Sequence, residues 1–342
     1  MSAAAADPGT FRVARDRAGL LSAVVGARLL GRAVPLSLGW ELTTACNGSC
    51  TYCAMRQSDP AELSPSEALA LVDQMGRAGT RMVSLSGGEP LLRRDLPAIV
   101  AALRARGITP SLNSNGFLLP RHVGILRQMA RIKISLDGPA ELHDTVRGPG
   151  SFDKATRAIE LCRTEGVPVT VEAVVSRTSL PGLPELLAWC AARSLRIQLQ
   201  PADPLVLATD RPNPEAPDGA AFAAALRAVR SSAHRSLLLN SSAGLDHLAA
   251  FPEPRPMACA SGRVSARISS DGTLRLCGVA PAHAPTASWR THGLLGAFAR
   301  LHPVACDRCW CAPRVDLNLG FQGRNLGAFV RGRAAGVLPG TR

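Results

Sequence analysis

Cys46-Asn47-Gly48-Ser49-Cys50-Thr51-Tyr52-Cys53 decides how this chain reads. It follows an apolar stretch over residues 35–43. Three thiolates on one short loop can hold three irons of a cubane iron–sulfur cluster, leaving the fourth iron without a protein ligand. An open iron separates a cluster that does chemistry from one that only carries electrons. A zinc fragment is the other reading, but zinc wants four ligands and no His or fourth Cys lies close by. Tyr52, the only tyrosine, can pack flat against a purine or serve as a core aromatic.

Outward from the loop, residues 36–203 alternate apolar strands with amphipathic helices. Strands are predicted over 36–43, 81–86, 109–113, 132–136, 167–175 and 196–200. Ser64, Pro65 and Glu67 form a capping box with proline at the first helical position. Gly79, Gly107 and Gly166 stop three helices. Six strand–helix units imply a parallel sheet with right-handed crossovers. Chemistry then belongs at the C-terminal strand ends, where the cysteine loop falls. The second strand ends in Ser86-Gly87-Gly88-Glu89-Pro90. Two glycines let the backbone approach a ligand closely. Exposed carbonyls there, with the Glu89 carboxylate, suit a cationic amine.

With these two motifs one strand apart, the chain resembles the radical S-adenosylmethionine (SAM) enzyme superfamily over roughly residues 36–203. The resemblance implies an α/β fold, a partial (β/α)6 barrel. It implies that Cys46, Cys50 and Cys53 bind a catalytic [4Fe–4S] cluster whose open iron chelates the methionine moiety of SAM. One electron then yields a 5′-deoxyadenosyl radical that abstracts hydrogen from substrate. It also places Tyr52 by the adenine and Gly87, Gly88, Glu89 and Pro90 at the SAM amino group. Asn113 and Asn115 would face the ribose and methionine, Ser135 would be a polar contact, and Arg147 would pair the SAM carboxylate.

Five further cysteines gather near the C-terminus: Cys259, Cys277, Cys306, Cys309 and Cys311. A hairpin is expected around Asp271-Gly272. The pattern resembles the auxiliary-cluster extension called SPASM or, with a single cluster, twitch. Five cysteines are too few for two clusters, so one auxiliary [4Fe–4S] cluster is expected. Cys259, Cys277, Cys306 and Cys309 match that pattern best; Cys311 departs from it, as a replacement for Cys309 or a spare. A zinc site is the alternative. Such a cluster suits oxidation, cross-linking or epimerisation.

The chain has 342 residues, ten cysteines and a net charge of +13. The cysteine grouping reads as metal ligation in a reducing compartment, with Cys162 and Cys190 as buried structural thiols. No apolar run reaches the ~20 residues of a bilayer span, and no signal peptide precedes the fold, so a cytoplasmic location is expected. Lys133 and Lys154 are the only lysines; arginine supplies the other positive charge, which reads as codon bias more than nucleic-acid binding. The expected organisation is an N-terminal extension (1–35), the radical SAM core (36–203), a linker with helices (204–255), the auxiliary domain (256–318) and a basic tail (319–342).

Expected partners are a peptide or small natural-product substrate and a flavodoxin- or ferredoxin-type electron donor. The roughly 35 residues before the first strand are too few for a leader-binding domain, so a peptide substrate implies either a separate leader-recognition protein or an uncommon docking mode. Other readings are a cofactor-biosynthesis enzyme and, from another class, a non-enzymatic iron–sulfur or zinc protein that binds nucleic acid.

Overall fold

The computed structural model describes residues 33–57 and 61–322. Among them, nine strands join in one sheet: β1 (Ser37–Thr43), β2 (Met82–Gly87), β3 (Thr109–Ser114), β4 (Arg131–Ser135), β5 (Val169–Val175), β6 (Arg196–Pro201), β7 (Ser265–Ile268), β8 (Thr273–Arg275) and β9 (Thr286–Ser288). The order is β6-β5-β4-β3-β2-β1-β7-β8-β9. Strands β1 to β6 run parallel. The helices are α1 (Pro65–Arg77), α2 (Leu96–Ala105), α3 (Val123–Leu126), α4 (Ala140–Arg147), α5 (Ser151–Thr164), α6 (Leu183–Ala192), α7 (Gly219–Ser231), α8 (Ser242–Leu248), α9 (Trp289–Ala299) and α10 (Ala312–Phe321).

Alternation along each strand sets the layers. Leu38, Trp40 and Leu42 of β1, Val83 and Leu85 of β2, and Ile132 and Ile134 of β4 are buried in the core. The intervening residues are small or polar. Ser37, Gly39, Ser84, Ser111, Asn113, Lys133 and Ser135 line an internal cavity instead. The sheet is therefore packed on one face and hollow on the other. The capping box forms as expected, Ser64 Oγ accepting from the Glu67 N–H while Glu67 Oε2 accepts from the Ser64 N–H. Cys162 and Cys190 are fully buried, and burial pushes both thiols up to about 12.

Three features differ from the sequence expectation. The start of the 204–255 stretch, read as a linker with helices, packs onto the cysteine loop: Leu207 forms an isolated parallel bridge with Cys53. The C-terminal hairpin extends the barrel sheet through β1–β7 pairing, from Ser37↔Ser265 to Trp40↔Ile268. The strand β9 and the helix α10 were not anticipated. Most of the N-terminal extension and of the basic tail lies outside the described residues. Among the described residues no helix is long and apolar enough to cross a membrane.

Candidate active site

The cysteine loop leaves the C-terminal end of β1 and is held from three sides. The N–H groups of Gly88 and Glu89 donate to Thr43 and Ala45 carbonyls, both at 2.8 Å. Thr51 N–H donates to Val146 O at the end of α4. Leu207 N–H donates to Tyr52 O, and Ala54 N–H to Leu207 O, each at 3.0 Å. The glycine pair is required by the chain itself. A Cβ at Gly87 would lie 2.3 Å from Thr43 O, and one at Gly88 2.2 Å from Ala45 O. Their close approach is thus to the root of the cysteine loop, and both also line the cavity.

Gly48 N–H donates to Cys46 Sγ at 3.3 Å. Cys46 Sγ and Cys50 Sγ lie 3.6 and 4.0 Å from the point a methyl on Gly48 would occupy, so the two thiols face one space. Burial raises the Cys46 and Cys53 thiols, and each is pushed further by the neighbouring cysteines. Among the described residues no three His, Cys, Asp or Glu side chains are gathered tightly enough for a single metal ion. A cluster spreads its thiolates over several irons and needs no such convergence.

Glu89 was expected to face a ligand amine. Its carboxylate is instead fully buried beneath the turn, accepting from Ser114 Oγ at 3.0 Å, Asn115 N–H at 2.9 Å and Leu91 N–H at 3.1 Å. Burial pushes it up to about 7 even against those donors. It braces the ends of β2 and β3. Pro90 is buried with it, and the cavity wall at this turn is the glycine pair.

Arg147 and Tyr52 converge on Asp137, two residues beyond Ser135 and not among the expected site residues. Asp137 accepts from Arg147 Nε at 2.6 Å and Nη2 at 3.1 Å, from Tyr52 Oη at 2.9 Å and from Val174 N–H at 2.9 Å. The fork expected to grip an incoming carboxylate is therefore occupied by Asp137. The remaining nitrogen, Nη1, reaches toward Cys50 Sγ at 3.8 Å. Burial opposes the guanidinium charge, but Asp137 outweighs it and the group titrates well above its ordinary range. The Tyr52 ring lies under the guanidinium, 5.5 Å from centroid to Cζ.

A cavity of about 460 Å³ opens beside these groups. Cys46, Cys50, Cys53, Tyr52, Gly87, Gly88, Asn113, Asn115, Ser135 and Arg147 all contribute to its wall. Asn113 Oδ1 is buried there without a hydrogen-bond partner, an acceptor waiting for a donor. Asn115 Nδ2 donates to Asn47 Oδ1 at 2.8 Å, tying β3 to the cysteine loop. Deeper in the lumen Lys133 Nζ pairs with Glu172 at 3.1 Å. The thiol set, the orphaned Asn113 acceptor and the glycine wall fit a cluster with a polar organic ligand beside it.

Cys277 and Cys311 line the same cavity. Cys259, Cys277, Cys309 and Cys311 form a mutually interacting group: burial raises Cys277 to about 11, and Cys311 and Cys259 push it further. Burial raises Cys309 well above its ordinary value, with Cys311, Cys277 and Cys259 adding to it. Burial raises Cys306 as well, with Cys259 adding to it. Asn318 binds the group together, accepting from Ala260 N–H at 2.9 Å and donating to Cys309 Sγ at 3.6 Å. Cys311, the outlier in the sequence reading, is the N-terminal cap of α10 and lines the cavity beside Cys277. His283, His292 and His302, which lie among these cysteines in the sequence, are exposed.

Residues 40–185 match the radical SAM superfamily. The AdoMet-dependent heme synthase of Oleidesulfovibrio alaskensis is 35% identical over 161 residues, 45% of this chain and 42% of that protein. The mycofactocin maturase MftC of Mycolicibacterium smegmatis is 35% identical over 182 residues, 50% of this chain and 46% of that protein. The chain thus matches less than half the length of these curated relatives. Among solved structures, Streptococcus suis SuiB bound to S-adenosylmethionine superposes with a TM-score of 0.64 at 16% identity, covering 85% of this chain and 71% of that one. Native anSMEcpe with bound AdoMet gives 0.61 at 18% identity, covering 78% and 79%. At such identities the likeness is one of fold. Residues 40–185, with the cysteine loop at the end of β1 and the Gly-Gly turn at the end of β2, are the part of the chain that matches the radical SAM superfamily.

Proposed function

We propose that this chain is an enzyme that uses SAM and a loop-bound [4Fe–4S] cluster to modify a peptide, with a second [4Fe–4S] cluster on its C-terminal cysteines. One observation carries the reading: both cysteine groups open on one cavity, so a molecule held there lies between them. When bound, cluster and SAM supply a carbon radical able to take a hydrogen atom from that molecule.

The residues of this chain do the rest. Cys46, Cys50 and Cys53 hold the first cluster, and Arg147, locked by Asp137, sets a fixed positive charge beside Cys50. Asn113 Oδ1 and the carbonyls of Gly87 and Gly88 accept from the ligand's amine and hydroxyl groups. Tyr52 and Leu207 close the wall over the loop and keep water from it. Cys259, Cys277, Cys309 and Cys311 are the ligand set for the auxiliary cluster, with Cys306 outside it.

The peptide class is supported by structural neighbours whose names carry it. These are SuiB bound to the precursor peptide SuiA and anSMEcpe with the Cp18Cys peptide. The heme synthase relative favours a second reading, a tetrapyrrole-sized small molecule. An acidic flavodoxin or ferredoxin suits the basic chain as electron donor, and a separate leader-recognition protein suits the peptide reading.

The test is anaerobic reconstitution with iron and sulfide, then dithionite and SAM. Wild type is expected to release 5′-deoxyadenosine. The variant with Cys46, Cys50 and Cys53 all changed to Ala is expected to release none while keeping auxiliary iron. An intact, reduced first cluster that yields no 5′-deoxyadenosine would sink the proposal. For the ligand set, Cys306→Ala should retain auxiliary iron and Cys311→Ala should lose it; the reverse pattern would exchange the two.

A further inference from the structure

Arg267 reaches from β1 and β2, the strands that carry the cysteine loop and the Gly-Gly turn, to the auxiliary cysteine region. On β7 it stands opposite Gly39 of β1, so its side chain projects into the hollow side of the sheet. With no side chain on Gly39, the arginine stem lies across that position, its Cγ 3.9 Å from where a Cβ would be. Its Nε donates to Glu41 Oε1 at 2.5 Å, and its Nη2 to Ser86 Oγ at 3.4 Å, one residue before the Gly-Gly turn. The opposite face of the same side chain rests on the auxiliary region. Cδ, Cζ and Nε are each 3.5 Å from the Cβ position of Gly278, the residue after Cys277. The guanidinium charge interacts with Cys277 and Cys311, the two auxiliary cysteines on the cavity wall.

We propose that Arg267 is a positioning residue that sets the reduction potential of the auxiliary cluster. Glu41 and Ser86 fix its guanidinium against the Cys277–Gly278 backbone, with Glu41 as the counter-charge that limits its effect. The inference rests on the reading that the C-terminal cysteines hold a cluster. A cation beside the sulfur ligands stabilises the more negative, reduced state and so raises the potential; charge and hydrogen bonding near the sulfurs are established levers on iron–sulfur potentials. The fixed geometry matters because an arginine free to swing away would be screened by water.

The experiment uses the full chain with Cys46, Cys50 and Cys53 changed to Ala, so that the auxiliary cluster is its one iron centre. Potentiometric titration followed by electron paramagnetic resonance reads its midpoint potential. Arg267→Gln is expected to move the midpoint to more negative values. Glu41→Gln, which removes the counter-charge and leaves the arginine, is expected to move it to more positive values. Arg267→Lys should fall between wild type and Arg267→Gln. Opposite signs from two members of one ion pair are not what a general loosening of structure produces. A midpoint that stays put in both variants, or moves the same way in both, overturns the inference while leaving the cluster in place. Absence of iron from the triple-alanine background overturns the auxiliary-cluster reading, and the inference with it. Should Arg267→Gln fail to load iron, the sign of the Glu41→Gln shift decides: positive supports the inference, zero or negative overturns it.

Discussion

Asp137 is 1% exposed and carries the polar framework under the cysteine loop, holding Arg147, Tyr52 and the backbone of β5. Removing one partner of a buried pair leaves a charge without compensation, at about 3–5 kcal/mol. Asp137→Asn is therefore expected to lower the stability of the metal-free protein by that order, read as a shift in urea midpoint. Tyr52→Phe removes a single hydrogen bond to a charged acceptor and should cost about 1.5–3 kcal/mol. A Tyr52→Phe loss equal to that of Asp137→Asn would contradict this account of the framework. Gly88→Ala acts differently, since its methyl would meet the Ala45 carbonyl at 2.2 Å and backbone cannot swing aside as a side-chain end can. It is expected to destabilise the metal-free fold by roughly 3 kcal/mol, in the same assay.

Among the elements, the junction of β2 and β3 has a pH dependence of its own. Glu89 is raised from 4.5 to about 7, chiefly because burial penalises its charged form. A carboxyl that binds its proton more tightly when folded makes the folded state lose stability as pH rises. The loss begins near the unfolded value of 4.5 and is complete above about 7. The full effect is about 3 kcal/mol. Glu89→Gln is expected to flatten that slope in urea titrations run from pH 4 to 8. Asp316, raised to about 6 by burial, keeps its share. An unchanged slope would show that the carboxyl finds water.

The six parallel strands were legible to within two residues because their alternation is local and each is closed by a turn or cap. The cysteine loop and the Gly-Gly turn were legible because each is a contiguous run. What was not legible depends on distant pairing. The β7–β8 hairpin was legible from its Asp271-Gly272 turn, but its attachment to β1 was not, and β9, with three residues, is too short for a periodic signal. Nothing in the run around Arg267 says that it lies beside Gly39, so its place between the cysteine groups follows only from the β1–β7 register. The partners of Glu89 and Arg147 were not legible for a related reason: Ser114 and Asp137 are supplied by neighbouring strand ends.

For the whole molecule, continuity of the sheet makes the auxiliary region part of the barrel's own stability. A chain ended at residue 254 would leave β1, with the core residues Leu38 and Trp40, as an exposed sheet edge and would strip Glu41 of its arginine. It is expected to aggregate or to lack a cooperative urea transition. The full metal-free chain is expected to unfold in one step by both fluorescence and circular dichroism. A soluble, cooperatively melting fragment would refute this coupling.

The pairing of Lys133 with Glu172 inside the lumen has a practical consequence. The chain carries two side-chain amines, and they stand in opposite settings. Lys154 is exposed on α5, while Lys133 is 7% exposed and faces the cavity. An amine-reactive label therefore modifies Lys154 quickly and Lys133 slowly, and peptide mass mapping separates the two. Whatever fills the cavity slows Lys133 further and leaves Lys154 unchanged. Arginine usage elsewhere has left this protein with a built-in occupancy gauge, able to rank candidate substrates before any turnover is seen.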